Sequence, residues 1–315
     1  MAGPSVIRGL AFATLLLAAL VPESAHAFCR ETVMSEPSGP CVEEAGVPLL
    51  HWTRDCLTYV FNDEMFGLVA PLLTEAQVRS TFKTAFETWA DVDCGDNRSP
   101  FFVEQAAGTT ATSKAEFVYD EPNESVIVTR NRADWSALPN HDPTALAFTL
   151  LWHDKNTGEI LDVDMELNAG AGRFADCVAT RCSSNMVDLA NTVTHEAGHL
   201  LGLGHTTVRG ATMTTTAIGA ETEKRSLETD DKMGYCALDL PEFECTGTKC
   251  TCDVPPVYRS RPETKSCSCR TLGTRSAAPV GQKTSLAFTP LALIAAAALL
   301  RIRSRRRARA VKNAA

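Results

Sequence analysis

Three of the chain's seven histidines fall within eleven residues, His195-Glu196-Ala197-Gly198-His199-Leu200-Leu201-Gly202-Leu203-Gly204-His205. On a helix, positions i and i+4 share one face a turn apart, so the imidazoles of His195 and His199 can meet one ion. Gly202 breaks that helix and lets the chain fold back, which brings His205 round as a third nitrogen. Three protein ligands leave a fourth tetrahedral position for water, the arrangement of a catalytic rather than a structural zinc site. Glu196 follows the first ligand without being one itself. It is placed to take the proton of a zinc-activated water as that water attacks a carbonyl. Five such fixed positions arise by chance in a chain of this size at a frequency of roughly 10⁻⁵. The competing reading, a buried helix with satisfied histidines, needs separate buried partners for three rings on one short segment.

A site of this kind needs a helix, a turn and a frame to hold them. The pattern predicts a helix from about Asn185 to Leu201, stopped by Gly202 and Gly204. Leu57-Thr58-Tyr59-Val60-Phe61 reads as a first strand. Thr74-Glu75-Ala76-Gln77 is a capping box that opens an amphipathic helix to about Val92, with Val78, Phe82, Phe86 and Trp89 on one face. Phe101–Val103, Glu116–Tyr119 and Ser125–Thr129 are short strand candidates. Leu146–Trp152 and Glu159–Leu167 flank Asp154–Gly158, whose Asn-Thr-Gly signals a turn, so a hairpin is predicted. Its second arm sets Leu161, Val163, Met165 and Leu167 against Asp162, Asp164, Glu166 and Asn168, which predicts one buried and one wet face. A short helix from about Glu228 to Leu238 closes the domain. Cys177 and Cys182 flank a short loop and are expected to pair, and Cys56 and Cys94 are a candidate tie between the first strand and the first helix.

With 44% hydrophobic and 22% charged residues over 315 positions, the composition is that of a globular chain and excludes global disorder. The net charge of −8 averages three unlike regions. Residues 1–27 carry only Arg8 and Glu23; residues 28–283 are strongly acidic; residues 284–315 hold seven basic residues and no acidic one. The acidic middle speaks against nucleic acid as a partner of the folded part. All twelve cysteines lie in that middle, which favours an oxidising, extracytoplasmic compartment. Residues 1–27 read as a secretory signal peptide: Arg8, the apolar run Leu10–Val21 and Ala25-His26-Ala27 before a mature start at Phe28. Residues 28–240 form the catalytic domain and 241–283 a cysteine-rich, disulfide-stapled linker. Residues 284–300 are an uncharged transmembrane candidate, and 301–315 a basic tail that stays on the cytoplasmic side.

The histidine stretch is similar to the zinc signature of metzincin metallopeptidases. Met213 in Gly210-Ala211-Thr212-Met213 fits the family's methionine turn, and its spacing, with Thr206, resembles the matrixin branch. Trp89 and Asp230-Asp231 with Gly234 fit as well, and the likeness runs roughly from Val47 to Pro241. Thr214, Thr215 and Thr216 depart from the aromatic and proline usual there. The resemblance implies an α+β fold, the zincin-like metzincin catalytic domain, with a twisted mixed sheet, an active-site helix and a C-terminal helix. It implies a zinc-dependent endopeptidase with His195, His199 and His205 on Zn²⁺ and Glu196 as general base. An extended peptide substrate adds to an edge strand, for which Glu159–Leu167 is the candidate, and Thr214–Ser226 forms the wall of the pocket for the side chain after the scissile bond. Matrixins often carry structural zinc and calcium. His141, Asp142, His153 and Asp154 do not reproduce that ligand set and read as exposed loop residues; Asp162, Asp164 and Glu166 are candidates for a structural Ca²⁺, although alternating carboxylates on a solvated face need no ion. A propeptide cysteine keeps matrixins latent; Cys29 or Cys41 in that role competes with their pairing in disulfides. The order of Cys267 and Cys269, spacer, apolar run and arginine cluster resembles the sorting tails of myxobacterial surface proteins. That implies a sorting protease as partner and a product kept at the cell surface or outer membrane. The rival reading is a catalytically idle, zinc-containing surface adhesion module.

Overall fold

The computed structural model describes residues 27–35, 41–54, 56–95, 101–215, 217–241 and 257–259. The signal segment up to residue 26, most of the cysteine-rich linker, the apolar run and the basic tail lie outside the described residues. The elements in chain order are β1 (Cys29–Arg30), β2 (Cys56–Asn62), α1 (Met65–Val69), α2 (Glu75–Ala90), β3 (Phe101–Thr110), β4 (Val126–Arg130), α3 (Arg132–Ala137), β5 (Ala147–His153), β6 (Ile160–Asn168), β7 (Arg173–Ala175), β8 (Met186–Asp188), α4 (Leu189–Leu201), β9 (Leu203–Gly204) and α5 (Thr229–Cys236).

Five strands form the main sheet in the order β3-β2-β4-β6-β5. Only β5 runs antiparallel to its neighbour, so the sheet is mixed and the fold is α+β, as expected. The helix α2 starts where the capping box says: Thr74 Oγ1 accepts the Gln77 N–H, and the Gln77 side chain accepts the Thr74 N–H. Its apolar stripe, Val78, Phe82, Phe86 and Trp89, is buried. Edge-to-face contacts join Phe82 to Phe61 and Phe86 to Tyr59, which ties α2 to β2. Each such side chain contributes about 1.5–3 kcal/mol by leaving water. The helix α4 packs beside α2 in the same layer. The Asp188 side chain caps it by accepting the Asn191 N–H at 2.8 Å, and Gly202 ends it in the left-handed region at φ +102°.

The predicted hairpin is present as β5 and β6, with Gly158 in the turn at φ +83°, where a Cβ would stand 2.1 Å from the Leu49 carbonyl oxygen. Its polarity is the reverse of the expectation. β6 is a central strand and every one of its residues is buried, while β5 is the edge. Alternation alone predicts one dry and one wet face, but the acidic face of β6 is covered. Ser125 caps Asp162, the Val126 N–H and Trp152 indole donate to Asp164, and Arg130 and His141 hold Glu166. Glu116–Tyr119 forms no strand. Cys177 pairs with Cys182 as expected and Cys29 with Cys41, but Cys94 pairs with Cys236 and not with Cys56. The bridge therefore joins the end of α2 to the last helix α5.

Candidate active site

The helix α4 presents His195, Glu196 and His199 to a cleft of about 800 Å³, whose opposite wall is the free edge of β5. After Gly202 the chain turns back through β9 and delivers His205 to the same place. The ring centroids lie 4.8 Å (His195–His199), 4.6 Å (His199–His205) and 5.3 Å (His195–His205) apart. One nitrogen from each ring gathers within 4.8 Å of the others, and the Nε2 atoms of His199 and His205 stand 3.1 Å apart.

The far side of two rings is tied to backbone. His195 Nδ1 lies 2.6 Å from the Thr212 carbonyl oxygen and His199 Nδ1 2.8 Å from that of Leu203. A ring nitrogen facing a carbonyl must donate, so in neutral rings Nδ1 carries the proton and Nε2 keeps its lone pair. Burial holds the His195 pKa well below the ordinary value and, with the neighbouring His199, pushes His205 down to about 3. Burial opposes charge on His199 too, but the carboxylates of Glu31 and Glu196 outweigh it and raise its pKa. Glu31 enters the cleft from the N-terminal segment, 3.6 Å from His199 Nδ1. Three convergent imidazoles, two of them with their back atoms bonded, fit a tetrahedral zinc with one position left toward the cleft.

Glu196 is buried in the same cleft, and the Thr149 hydroxyl of β5 donates to its Oε2 at 2.7 Å. Burial raises its pKa, against the pull of His199 and Thr149. Under α4 lies Met213, and the contact is close: a Cβ at Gly198 would meet Met213 Sδ at 2.2 Å and the Trp89 ring at 2.9 Å. A glycine inside a helix is unfavourable by about 1 kcal/mol, and this approach is the reason for one. The Asp231 carboxylate holds the turn by accepting the N–H groups of Thr212 (2.7 Å) and Met213 (3.0 Å). The segment that follows is fixed to α4: the Lys224 N–H donates to Asn191 Oδ1 at 2.8 Å, and the Arg225 guanidinium bridges Asp188 and Asp176.

Against known families, the matrixin model matches residues 51–238. The chain belongs to the matrixin family. Two Arabidopsis thaliana proteins, Metalloendoproteinase 4-MMP and Metalloendoproteinase 1-MMP, are each 29% identical to it, over 201 and 196 residues. The alignments cover 59% and 60% of this chain but only 47% and 44% of those proteins, so the chain spans under half the length of the relatives it matches. Matrixins are zinc-dependent metallopeptidases, and the histidine triad is the matching feature of this structure.

Within this matrixin domain the structure brings together all of the residues singled out from the motif: His195, Glu196, His199, His205, Gly202 and Met213. Of the other candidates, Asp142 and His153 line the same cleft, but none joins the triad. His141 is no exposed loop residue; its Nε2 lies 2.7 Å from Glu166 Oε2 and its ring packs edge-on to Trp135. Asp142 is exposed, and His153 closes the far end of β5 with a buried Nδ1 that lacks a hydrogen bond. Asp162, Asp164 and Glu166 are each 1% exposed. No second group of three His, Cys, Asp or Glu ligand atoms converges among the described residues. The substrate-edge role passes from β6 to β5, since β6 is hydrogen-bonded on both sides. Thr149, Glu31 and Lys224 were not singled out. Thr149 carries no local signal, because only the β5–α4 packing brings it to Glu196.

Proposed function

We propose that this matrixin is a secreted zinc-dependent endopeptidase. His195, His199 and His205 hold the metal, with Glu196 as general base and Met213 as the turn beneath it. When bound, zinc supplies Lewis acidity that makes water acidic near neutral pH and polarises a peptide carbonyl. The chain's own groups do the rest. β5 offers unpaired backbone N–H and C=O groups along Ala147–His153 to an extended peptide. The Glu196 carboxylate takes the proton of the attacking water and passes it to the leaving amine. Thr149 holds that carboxylate in one orientation. The carrying observation is the placement of Glu196 in the same cleft as three converging imidazoles and a free strand edge. A purely structural zinc site has no use for a buried carboxylate there, which disfavours the idle adhesion module.

In the same reading residues 1–27 direct export and are removed before Phe28, 28–240 are the catalytic domain, and 241–283 link it to an apolar anchor at 284–300. The sorting-tail likeness supports retention at the surface, with the tail as substrate of a sorting protease. Purified protein should bind one zinc and hydrolyse casein until a chelator is added. Glu196→Ala should keep fold and zinc and lose hydrolysis; wild-type turnover by that variant would falsify the mechanism.

A further inference from the structure

The pocket wall beside Glu196 contains a buried cation. Lys224 is 3% exposed yet lines the cleft together with Asn191, Thr192, His195 and Glu196. Its ammonium donates to the Thr214 carbonyl oxygen. It forms no ion pair with any carboxylate of the described residues. Glu221, Glu196 and Asp231 act on it electrostatically, but none of them forms a salt bridge with it. A buried ammonium without a counter-charge is costly, and a lysine there has two further N–H donors to satisfy. The position is not slack. Its own N–H is bonded to Asn191 of α4, and its neighbour Arg225 is pinned to Asp188 and Asp176.

Resting on the endopeptidase reading above, we propose that this pocket selects a carboxylate on the residue that follows the scissile bond, an aspartate or glutamate side chain, with Lys224 as the specificity-determining residue. Thr215, Ala217 and Lys224 wall the place where that side chain enters, beside Asn191 and Thr192 of α4. A carboxylate there completes the missing pair at a buried ammonium, where a charge-assisted hydrogen bond is strong. A lysine or arginine at the same substrate position meets a like charge and is rejected. The open length of β5 accommodates chain beyond that residue, which favours an internal side chain over a chain terminus.

The test uses the zinc-loaded full chain and C-terminally amidated, internally quenched peptides that differ only in the residue after the scissile bond: Glu, Gln, Leu or Lys. Glu should exceed Gln by about tenfold or more in kcat/KM, with the margin shrinking as salt rises. Lys224→Glu should invert the order, favouring Lys over Glu, and Lys224→Met should erase the Glu–Gln difference. The catalytically silenced Glu196→Gln protein should bind the Glu peptide more tightly than the Gln peptide by calorimetry, which does not depend on turnover. Cleavage of all four peptides with no Glu–Gln difference overturns this inference and leaves the peptidase reading standing. So does an equal loss on all peptides in Lys224→Met, which makes the lysine a structural strut. Acid preference confined to peptides with a free C-terminus assigns the cation to a terminal carboxylate and overturns the side-chain assignment. No cleavage of any peptide overturns the peptidase reading itself. If the Lys224 variants do not fold, the wild-type salt series and the Glu196→Gln calorimetry decide.

Discussion

The histidine triad and the acidic row of β6 both bury titratable groups, yet only one of them gathers a site. In the triad, a helical i,i+4 pair and a chain reversal at Gly202 aim three rings at one point, and the back atoms of two are tied to carbonyls. Along β6 the carboxylates recur every second residue, about 6–7 Å apart on one face, too far to share an ion among themselves. Each has its own partners: Ser125 on one oxygen of Asp162, Val126 and Trp152 on Asp164, and Arg130 and His141 on Glu166. Burial is common to both regions; convergence separates them.

Substitutions can break that contrast at either end. The largest effect is expected from His199→Ala, which should cost stoichiometric zinc after dialysis and reduce peptide hydrolysis to background. Metal retention at wild-type level would show that the rings do not act as a set. Gly198→Ala comes next. The added methyl overlaps Met213 and Trp89, so thermal or urea unfolding should show a loss of about 1–3 kcal/mol.

Asp162→Asn probes the other region. Burial raises the pKa of both Asp162 and Asp164, and the charge of Asp162 raises Asp164 further. The folded protein therefore keeps protons that the unfolded chain releases above about pH 4. Stability must fall as pH rises from there through the raised folded-state values. An asparagine keeps the acceptor for Ser125 and removes one charge, and Asp162 Oδ2 has no hydrogen-bond partner to lose. The variant should gain about 1–2 kcal/mol at pH 8 and show a shallower decline between pH 5 and 8 in denaturant titrations. An unchanged pH profile would mean the row carries no strain from charge. The smallest effect belongs to Thr149→Val, which frees the Glu196 carboxylate. We expect roughly tenfold lower kcat, near 1.4 kcal/mol, with KM little changed.

What was legible in the chain is what short-range geometry encodes. The histidine spacing specified its own helix and turn, Thr74 and Gln77 announced the start of α2, and Asn-Thr-Gly announced the β5–β6 turn. The acidic face of β6 was misread because alternation says which residues share a face and not what covers it. Its cover comes from loops around Ser125 and His141 that have no periodicity to read. The choice of β5 over β6 as the edge has the same origin, since strand order is a long-range property. Cys94 found Cys236 rather than Cys56 because α5 folds back beside α2, a proximity no spacing shows. Lys224 sits in the wall segment as an ordinary lysine and acquires meaning only once that wall is closed against Asn191.

One small ladder has a bearing on how the site is assembled. β1 pairs with β9 so that Cys29 lies opposite Gly204, 175 positions away. His195 and His199 arrive together whenever α4 forms, while the strand leading to His205 is braced by the far end of the chain. Closing so long a loop is slow. In refolding experiments the gain of helical signal should therefore precede the uptake of zinc. The earliest residues of the chain thus complete the last of its metal ligands to become ready.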